Sequence, residues 1–423
     1  MLAAIAILSS AMPAWADDDK LFNGVEKLTP ARLVELVLER HPDPASALSA
    51  WQASLTRQDQ QASLEDPVLS YSIAPRTLDS TDSDTGQIIS VSQRLPWPGK
   101  LHARGDIQKL EANADKYAID STKRDLVRAS KFTYADWYFI HGAIHINTIN
   151  QSLLQEFRES ARIKYVSGRA SKQDILQADV ELVLLEHRAI MLDRQKQEIL
   201  ATLNTLLQRQ PDLALPSPAE ITVTHQTPDV AELRNIAIQN RTELLVIDER
   251  IKANQERIDL AKLETMPDFN VMAGYNSLWG NNDQRLTVGV GINIPLQKKR
   301  HANQNDARFA LTELRYQRQG LSSKIIQEVQ QAYDRYRESQ HVIKLYREKL
   351  LPLSEENVAT ARSEYESGGG EFPSLITAEK NLMLARLNEL QAIADFYRRL
   401  SYLEWAAGST EGLHEQLVSE TTP

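Results

Sequence analysis

Residues 161–168 read ARIKYVSG and residues 361–368 read ARSEYESG, so Ala, Arg, Tyr, Ser and Gly recur at a spacing of 200. The correspondence continues outward. Ala178 and Leu182 recur as Ala378 and Leu382, and Pro96 in RLPWPGK (94–100) answers Pro295 in NIPLQKK at a spacing of 199. Asp66-Pro67 and Pro267-Asp268 open the two halves in similar fashion. A period of this length is a duplicated half rather than a solenoid unit. Between the halves, residues 209–228 carry Pro211, Pro216, Pro218 and Pro228 around a strand-like ITVTHQ, the composition of a linker. The expected organisation is a first repeat over 17–208, this linker, a second repeat over 229–408 and a tail at 409–423.

Each repeat follows one script. Residues 67–95 hold two alternating segments, PVLSYSIAP and QIISVSQRL, with Leu69, Tyr71, Ile73, Ile89 and Val91 on one face. Residues 267–296 hold two more, in which Phe269, Val271, Ala273 and Tyr275, then Leu286, Val288, Val290, Ile292 and Ile294, alternate with small or polar residues. Period two predicts β-hairpins, and segments of about 9–11 residues suit a tilted membrane strand. A water-soluble hairpin with one buried face has the same pattern, but two isolated hairpins would be marginal. The turns TLDSTDSDTG and NSLWGNND are polar.

Helical hairpins are expected over 98–208 and 297–406. Their outgoing limbs, 98–167 and 297–367, contain almost no helix breaker, and at 1.5 Å per residue each would reach about 100 Å. Ile325, Val329, Ala332, Tyr336, Ile343, Tyr346, Leu350 and Leu353 fall on a 3–4 spacing interrupted at Ser339. Ile175, Ala178, Leu182, Leu185, Ala189, Leu192, Ile199, Leu203 and Leu206 do the same around Lys196, and a weaker series runs from Leu375 to Leu403 around Glu389 and Arg399. These spacings predict coiled-coil seams. Pro352 is expected to kink its helix without ending it. Shorter helices are predicted at 30–41 (Thr29 capping, Pro30 first), 44–65, 229–240 and 242–265.

Composition narrows the chemistry. Of 423 residues, 48 are Lys or Arg and 57 are Asp or Glu, a net charge of −9, and cysteine is absent. There are therefore no disulfides, thiolate metal sites, cysteine nucleophiles or acylated cysteine. Acidic balance without a basic block argues against nucleic acid. Mean hydropathy is −0.41. Beyond the first residues no run approaches the ~20 apolar residues of a membrane helix. Residues 1–16, with LAAIAILSSAM followed by Pro13 and Ala14-Trp15-Ala16, read as a signal peptide cleaved after Ala16, although no basic residue precedes the apolar run.

Four membrane strands cannot close a barrel, because the smallest outer-membrane barrels have about eight. An open edge in hydrocarbon strands backbone N–H and C=O groups at several kcal/mol each. If the strands are in a membrane, the barrel must therefore be shared, with eight strands from two chains or twelve from three. Seams on helices this long also demand neighbours. The expected fold class is mainly α with a small β part.

The order of signal, helices, hairpin, long helix, Y-x-x-G tip and return helix, repeated once, resembles the TolC-like outer-membrane factor family. RLPWPGK resembles the strand-to-helix corner of its heavy-metal (cobalt–zinc–cadmium type, CzcC-like) branch. Tyr165-x-x-Gly168 and Tyr365-x-x-Gly368 are similar to that family's periplasmic tips. The resemblance implies a homotrimer with a twelve-stranded outer-membrane β-barrel and a coiled-coil α-barrel in the periplasm. It further implies the exit duct of a tripartite efflux pump, docked on a periplasmic adaptor and energised by an inner-membrane transporter of the RND type. On this basis Tyr165, Gly168, Tyr365 and Gly368 are the expected adaptor-docking residues. Asp174 matches a family acid at the pore entrance. Ser374 and Thr377 stand where some relatives place aspartates, with Glu371 as a candidate substitute. Repeated three-fold, each acid becomes a ring that favours cations; a solvated tip carboxylate is the plainer reading of each.

Other residues suggest less. His141 and His145, four apart on a helix, could face one metal but have no third ligand nearby in sequence, so no metal or cofactor is expected. Trp97 suits a membrane interface or simple corner packing, and Tyr134, Trp137, Tyr138, Tyr333 and Tyr336 suit inter-helix packing. No nucleotide-binding or hydrolase motif is present, and no enzymatic activity is expected. The readings to be separated are a passive channel for divalent heavy metals, the same channel carrying drugs, small organics or polypeptide, and a periplasmic scaffold or adaptor without a pore.

Overall fold

A computed structural model describes residues 21–75, 86–224, 227–277 and 285–408. The expected signal peptide, the tail at 409–423 and most of both strand-connecting turns lie outside the described residues. The chain divides into two compact units, one comprising residues 45–121 and 238–324 and the other the remainder.

The first unit carries the sheet. β2 (Val68–Ile73), β3 (Gln87–Leu95), β5 (Asp268–Asn276) and β6 (Leu286–Asn293) pair antiparallel in that order. The register sets the faces. Tyr71 pairs with Ile89, Ile89 with Tyr275 and Tyr275 with Leu286, while Leu69, Val91, Ala273 and Val288 align in the next row. Because side chains alternate, these rows form one continuous apolar face, and the other face holds Ser70, Ser90, Gly274 and Thr287. Leu69, Tyr71, Leu286, Val288, Val290 and Ile292 are exposed on the apolar face. β2 and β6 are the edges. Beside the sheet, most of α2 (Pro42–Ala62), the start of α3 (Lys100–Val166), most of α6 (Thr242–Leu263) and the start of α7 (Gln297–Leu345) pack through small residues such as Ala103, Ala112, Ala114, Ala253 and Ala261.

The second unit is helical. α1 (Pro30–Arg40) starts as the sequence predicts: the Thr29 hydroxyl accepts from the Arg32 N–H at 3.3 Å, and Pro30 opens the helix. Leu33, Leu36 and Val37 form its buried face. The linker departs from expectation. Of ITVTHQ, the described residues 221–224 form no strand; instead β4 (Ser217–Pro218) makes a two-residue parallel bridge to β1 (Lys27–Leu28). Pro218 has no N–H to extend the ladder. Side chains anchor the segment instead. The Tyr134 hydroxyl sits 2.9 Å from the carbonyl oxygens of both Leu28 and Ala219, Trp137 Nε1 donates to Pro216 O at 3.0 Å, and Gln340 Nε2 donates to Thr224 O at 2.9 Å.

The remaining helices are α4 (Lys172–Leu206), α5 (Val230–Asn240), α8 (Leu351–Ser367) and α9 (Phe372–Ala407). The seam read on α4 faces inward: Ala178, Leu185 and Leu203 are buried and none of its other members is exposed. The series read as weak, on α9, proves the most buried, with Ile376, Met383, Ile393, Tyr397 and Leu400 added to it. Its polar interruptions are paired: Arg347 donates to Glu389 at 2.8 Å and Arg399 to Glu338 at 3.0 Å.

The outgoing seam needs correction. Ile325, Val329, Ala332, Tyr336, Ser339 and Ile343 are buried, but Leu350 and Leu353 are 41% and 63% exposed. A π-turn at Tyr346–Leu350 separates α7 from α8, and the Leu351 N–H bonds Tyr346 O across five residues. One extra residue thereby enters the frame. The seam resumes at Leu351, Ser354, Val358, Ala361 and Tyr365, shifted by one, with Val358 and Tyr365 buried. Pro352 supplies the reason, since its ring would strike the Glu348 carbonyl in a regular helix and the wider turn relieves that clash.

Candidate functional site: helical tips and strand-to-helix corner

Both tips end in the same backbone device. Gly168 and Gly368 adopt left-handed φ values of 73° and 84°. Arg169 N–H bonds Lys164 O at 2.8 Å, and Gly369 N–H bonds Glu364 O at 3.0 Å. These six-residue closures satisfy carbonyls that the helix cannot, and the left-handed position is why glycine stands there. At Gly370 the requirement is space, because a Cβ would lie 2.8 Å from Glu364 Cβ.

The two tyrosines of the repeated motif have different surroundings. Tyr365 is 5% exposed and Tyr165 46%. Tyr365 lies in a cluster with Leu154, Phe157, Ala161, Ala178, Phe372 and Leu375, its ring 5.2 Å from that of Phe372. Burial, with the Asp174 carboxylate adding to it, raises the Tyr365 phenol above its ordinary value. Asp174 sits in the first turn of α4 and accepts from the Ser171 hydroxyl at 2.8 Å. Glu371 is the exposed N-cap residue of α9, without a side-chain cap bond. Ser374 and Thr377 are exposed one and two turns on, the Thr377 hydroxyl donating to Pro373 O at 2.8 Å. Glu371, Ser374 and Thr377 thus share a solvent face, while Tyr365 is buried.

The sequence marks Asp268 only as the opening of the second half and does not mark Lys164 at all. Lys164 reaches from the end of α3 to the end of α8, where its ammonium donates to Tyr365 O and, at 3.4 Å, to Glu366 O. It also lies 3.9 Å from the Tyr365 ring centroid. Asp268 organises the strand-to-helix corner. Its carboxylate accepts from Arg94 at 2.9 Å, from the Trp97 N–H at 3.1 Å and from Lys100 Nζ at 2.7 Å. Three positions of RLPWPGK therefore converge on one acid. Trp97 stacks on Phe269 at 5.9 Å and 22°, which supports corner packing. His141 is wedged edge-on against Trp137 at 4.3 Å, where burial and the nearby Lys196 lower its pKa to about 4; His145 is exposed.

Arranged in this way, the chain has the fold of bacterial outer-membrane channels. It is 18% identical to the outer-membrane channel OprN over 93% of this chain and 92% of that one, with a TM-score of 0.75. For CusC, whose structures concern transmembrane channel formation, the values are 16%, 90%, 92% and 0.76. For the CmeC outer membrane channel of Campylobacter jejuni they are 13%, 99%, 94% and 0.72. Residues 233–409 match the family model described as outer membrane efflux protein. No curated protein matches the chain.

Proposed function

We propose that the chain is the outer-membrane duct of a tripartite efflux pump: a homotrimer that pools four strands per protomer into a twelve-stranded barrel and performs no chemistry. The observation that carries this reading is the sheet, which exposes a continuous apolar face and, among the described residues, has no strand beyond either edge. Lipid on that face and neighbouring copies at the edges would satisfy both requirements. The efflux-protein match over 233–409 and the channel fold support the same reading.

In this duct the tips meet a periplasmic adaptor coupled to an RND-type inner-membrane transporter. Gly168 and Gly368 shape the docking turns, Tyr165 offers an exposed aromatic, and Tyr365 sets the second tip from within. Asp174 and Glu371, tripled by symmetry, would line the entrance with acids and favour cations, with Ser374 and Thr377 beside them. The cargo is proposed to be divalent heavy-metal ions, on the resemblance of RLPWPGK to the heavy-metal branch. Purified oligomer in planar bilayers should give discrete single-channel conductance; its absence would favour a scaffold without a pore and overturn the proposal. A deletion strain should lose tolerance to zinc, cobalt, cadmium or copper while keeping tolerance to dyes and detergents. The reverse pattern would reassign the cargo to organic compounds.

A further inference from the structure

Between α3, α4 and α9 lies a cleft of about 390 Å³, partly open to solvent, with Phe157, Leu185, Ile376 and Met383 among its walls. Four polar residues also line it, and their hydrogen bonding is uneven. Lys380 donates to Glu181 at 2.5 Å, so these two satisfy each other. The Asn150 amide nitrogen donates to Ile146 O at 2.8 Å, which leaves its amide oxygen as an acceptor. Glu379 is the fourth, half-buried, and among the described residues its carboxylate accepts no hydrogen bond. The arginines whose charge reaches it are held elsewhere, Arg362 by Glu366 at 3.0 Å and Arg386 by Glu355 at 3.2 Å. Burial outweighs both and raises the Glu379 carboxyl above its ordinary value. Behind Leu185 stands a further acceptor. Asn147 is 3% exposed, its Nδ2 donates to Leu185 O at 3.2 Å, and its Oδ1 has no partner among the described residues. Apolar walls with acceptors to spare and no free donor call for a ligand that brings both a donor and a positive charge.

We propose that this cleft is a binding site for a small organic ammonium ion, whose charge pairs with Glu379 while its apolar body lies against Phe157, Ile376 and Met383. The Asn150 oxygen is a further acceptor in the same cleft. A metal ion does not suit it, because among the described residues no three His, Cys, Asp or Glu side chains gather to hold one. The site lies within one protomer, so it neither requires the duct nor tests it. Calorimetry on the full chain in non-ionic detergent, near neutral pH, compares 2-phenylethylammonium with 2-phenylethanol, a neutral molecule of nearly the same shape. Wild type should bind the ammonium about tenfold more tightly than the alcohol, as expected for one charge-assisted hydrogen bond. Glu379→Gln keeps the size of the side chain and should abolish that preference, with its circular dichroism melt unchanged. Glu313→Gln, at an exposed acid on α7, should keep the preference in full. Equal affinity of wild type for the two compounds would overturn the proposal without recourse to any variant. A preference that survives in Glu379→Gln would overturn it as well, because the charge would then be recognised elsewhere.

Discussion

At the strand-to-helix corner, one carboxylate does the work of several contacts. Lys100 is 3% exposed, and Asp268 with the Met266 carbonyl at 2.8 Å are the acceptors its ammonium meets. Removing the acid leaves a buried cation without its counter-charge, a change that typically costs 3–5 kcal/mol. Asp268→Ala should therefore lower the unfolding free energy obtained from urea titration by about 3–5 kcal/mol. Asp268→Ala combined with Lys100→Met should recover much of the loss, because an apolar replacement of a buried pair is often neutral. A double variant no more stable than the single one would show that Lys100 contributes nothing through this pair. The corner was half legible in the sequence. RLPWPGK announces a stop to the strand and the start of a helix through its prolines and glycine. Asp268, 168 residues beyond Lys100, shows only as a marker matching Asp66, since no local period connects the partners. Tyr165 and Tyr365 make the same point from the other side: equal in the motif, they differ in burial because the neighbours that bury one of them come from other helices.

The helices were legible as elements because their signals are local. Thr29 and Pro30 begin α1 as predicted, and the 3–4 spacing identifies buried positions from Ile325 to Ile343. Phase beyond that point is not local information: Leu350 and Leu353 are apolar and fit an unbroken frame, whereas the π-turn moves the frame by one residue. That device has a testable signature. Deleting Glu348 removes the extra residue but forces Pro352 into a regular helix, at a cost of about 3 kcal/mol. Adding Pro352→Ala to the deletion relieves the clash and leaves Val358, Ala361 and Tyr365 facing inward as before. Thermal unfolding followed by circular dichroism should show a large drop for the deletion alone and near-complete recovery for the pair. Deleting Glu338, upstream of the turn, should not be rescued by Pro352→Ala, because it rotates buried Tyr336 and Ile343 relative to each other. Equal behaviour of the two deletions would refute the phase-shift account.

For the whole molecule, the decisive property is one that averages conceal. A mean hydropathy of −0.41 belongs to long hydrated helices, and four strands contribute only every other residue to an apolar face. Alternation made the strands legible, but their order became visible only through the register that places Ile89 beside Tyr275. The proposed barrel gives the two faces opposite tolerances. Val290 would meet lipid, where an arginine near the midplane costs about 2–4 kcal/mol, whereas Thr287, on the other face, would meet an aqueous lumen. Val290→Arg should therefore reduce the amount of oligomer recovered from outer-membrane fractions and its resistance to heating in detergent, while Thr287→Arg leaves both close to wild type. A water-exposed sheet would respond the other way, because a charge on an exposed apolar face improves solubility and leaves assembly intact. Normal recovery of Val290→Arg would therefore remove lipid from the apolar face, and with it the shared barrel.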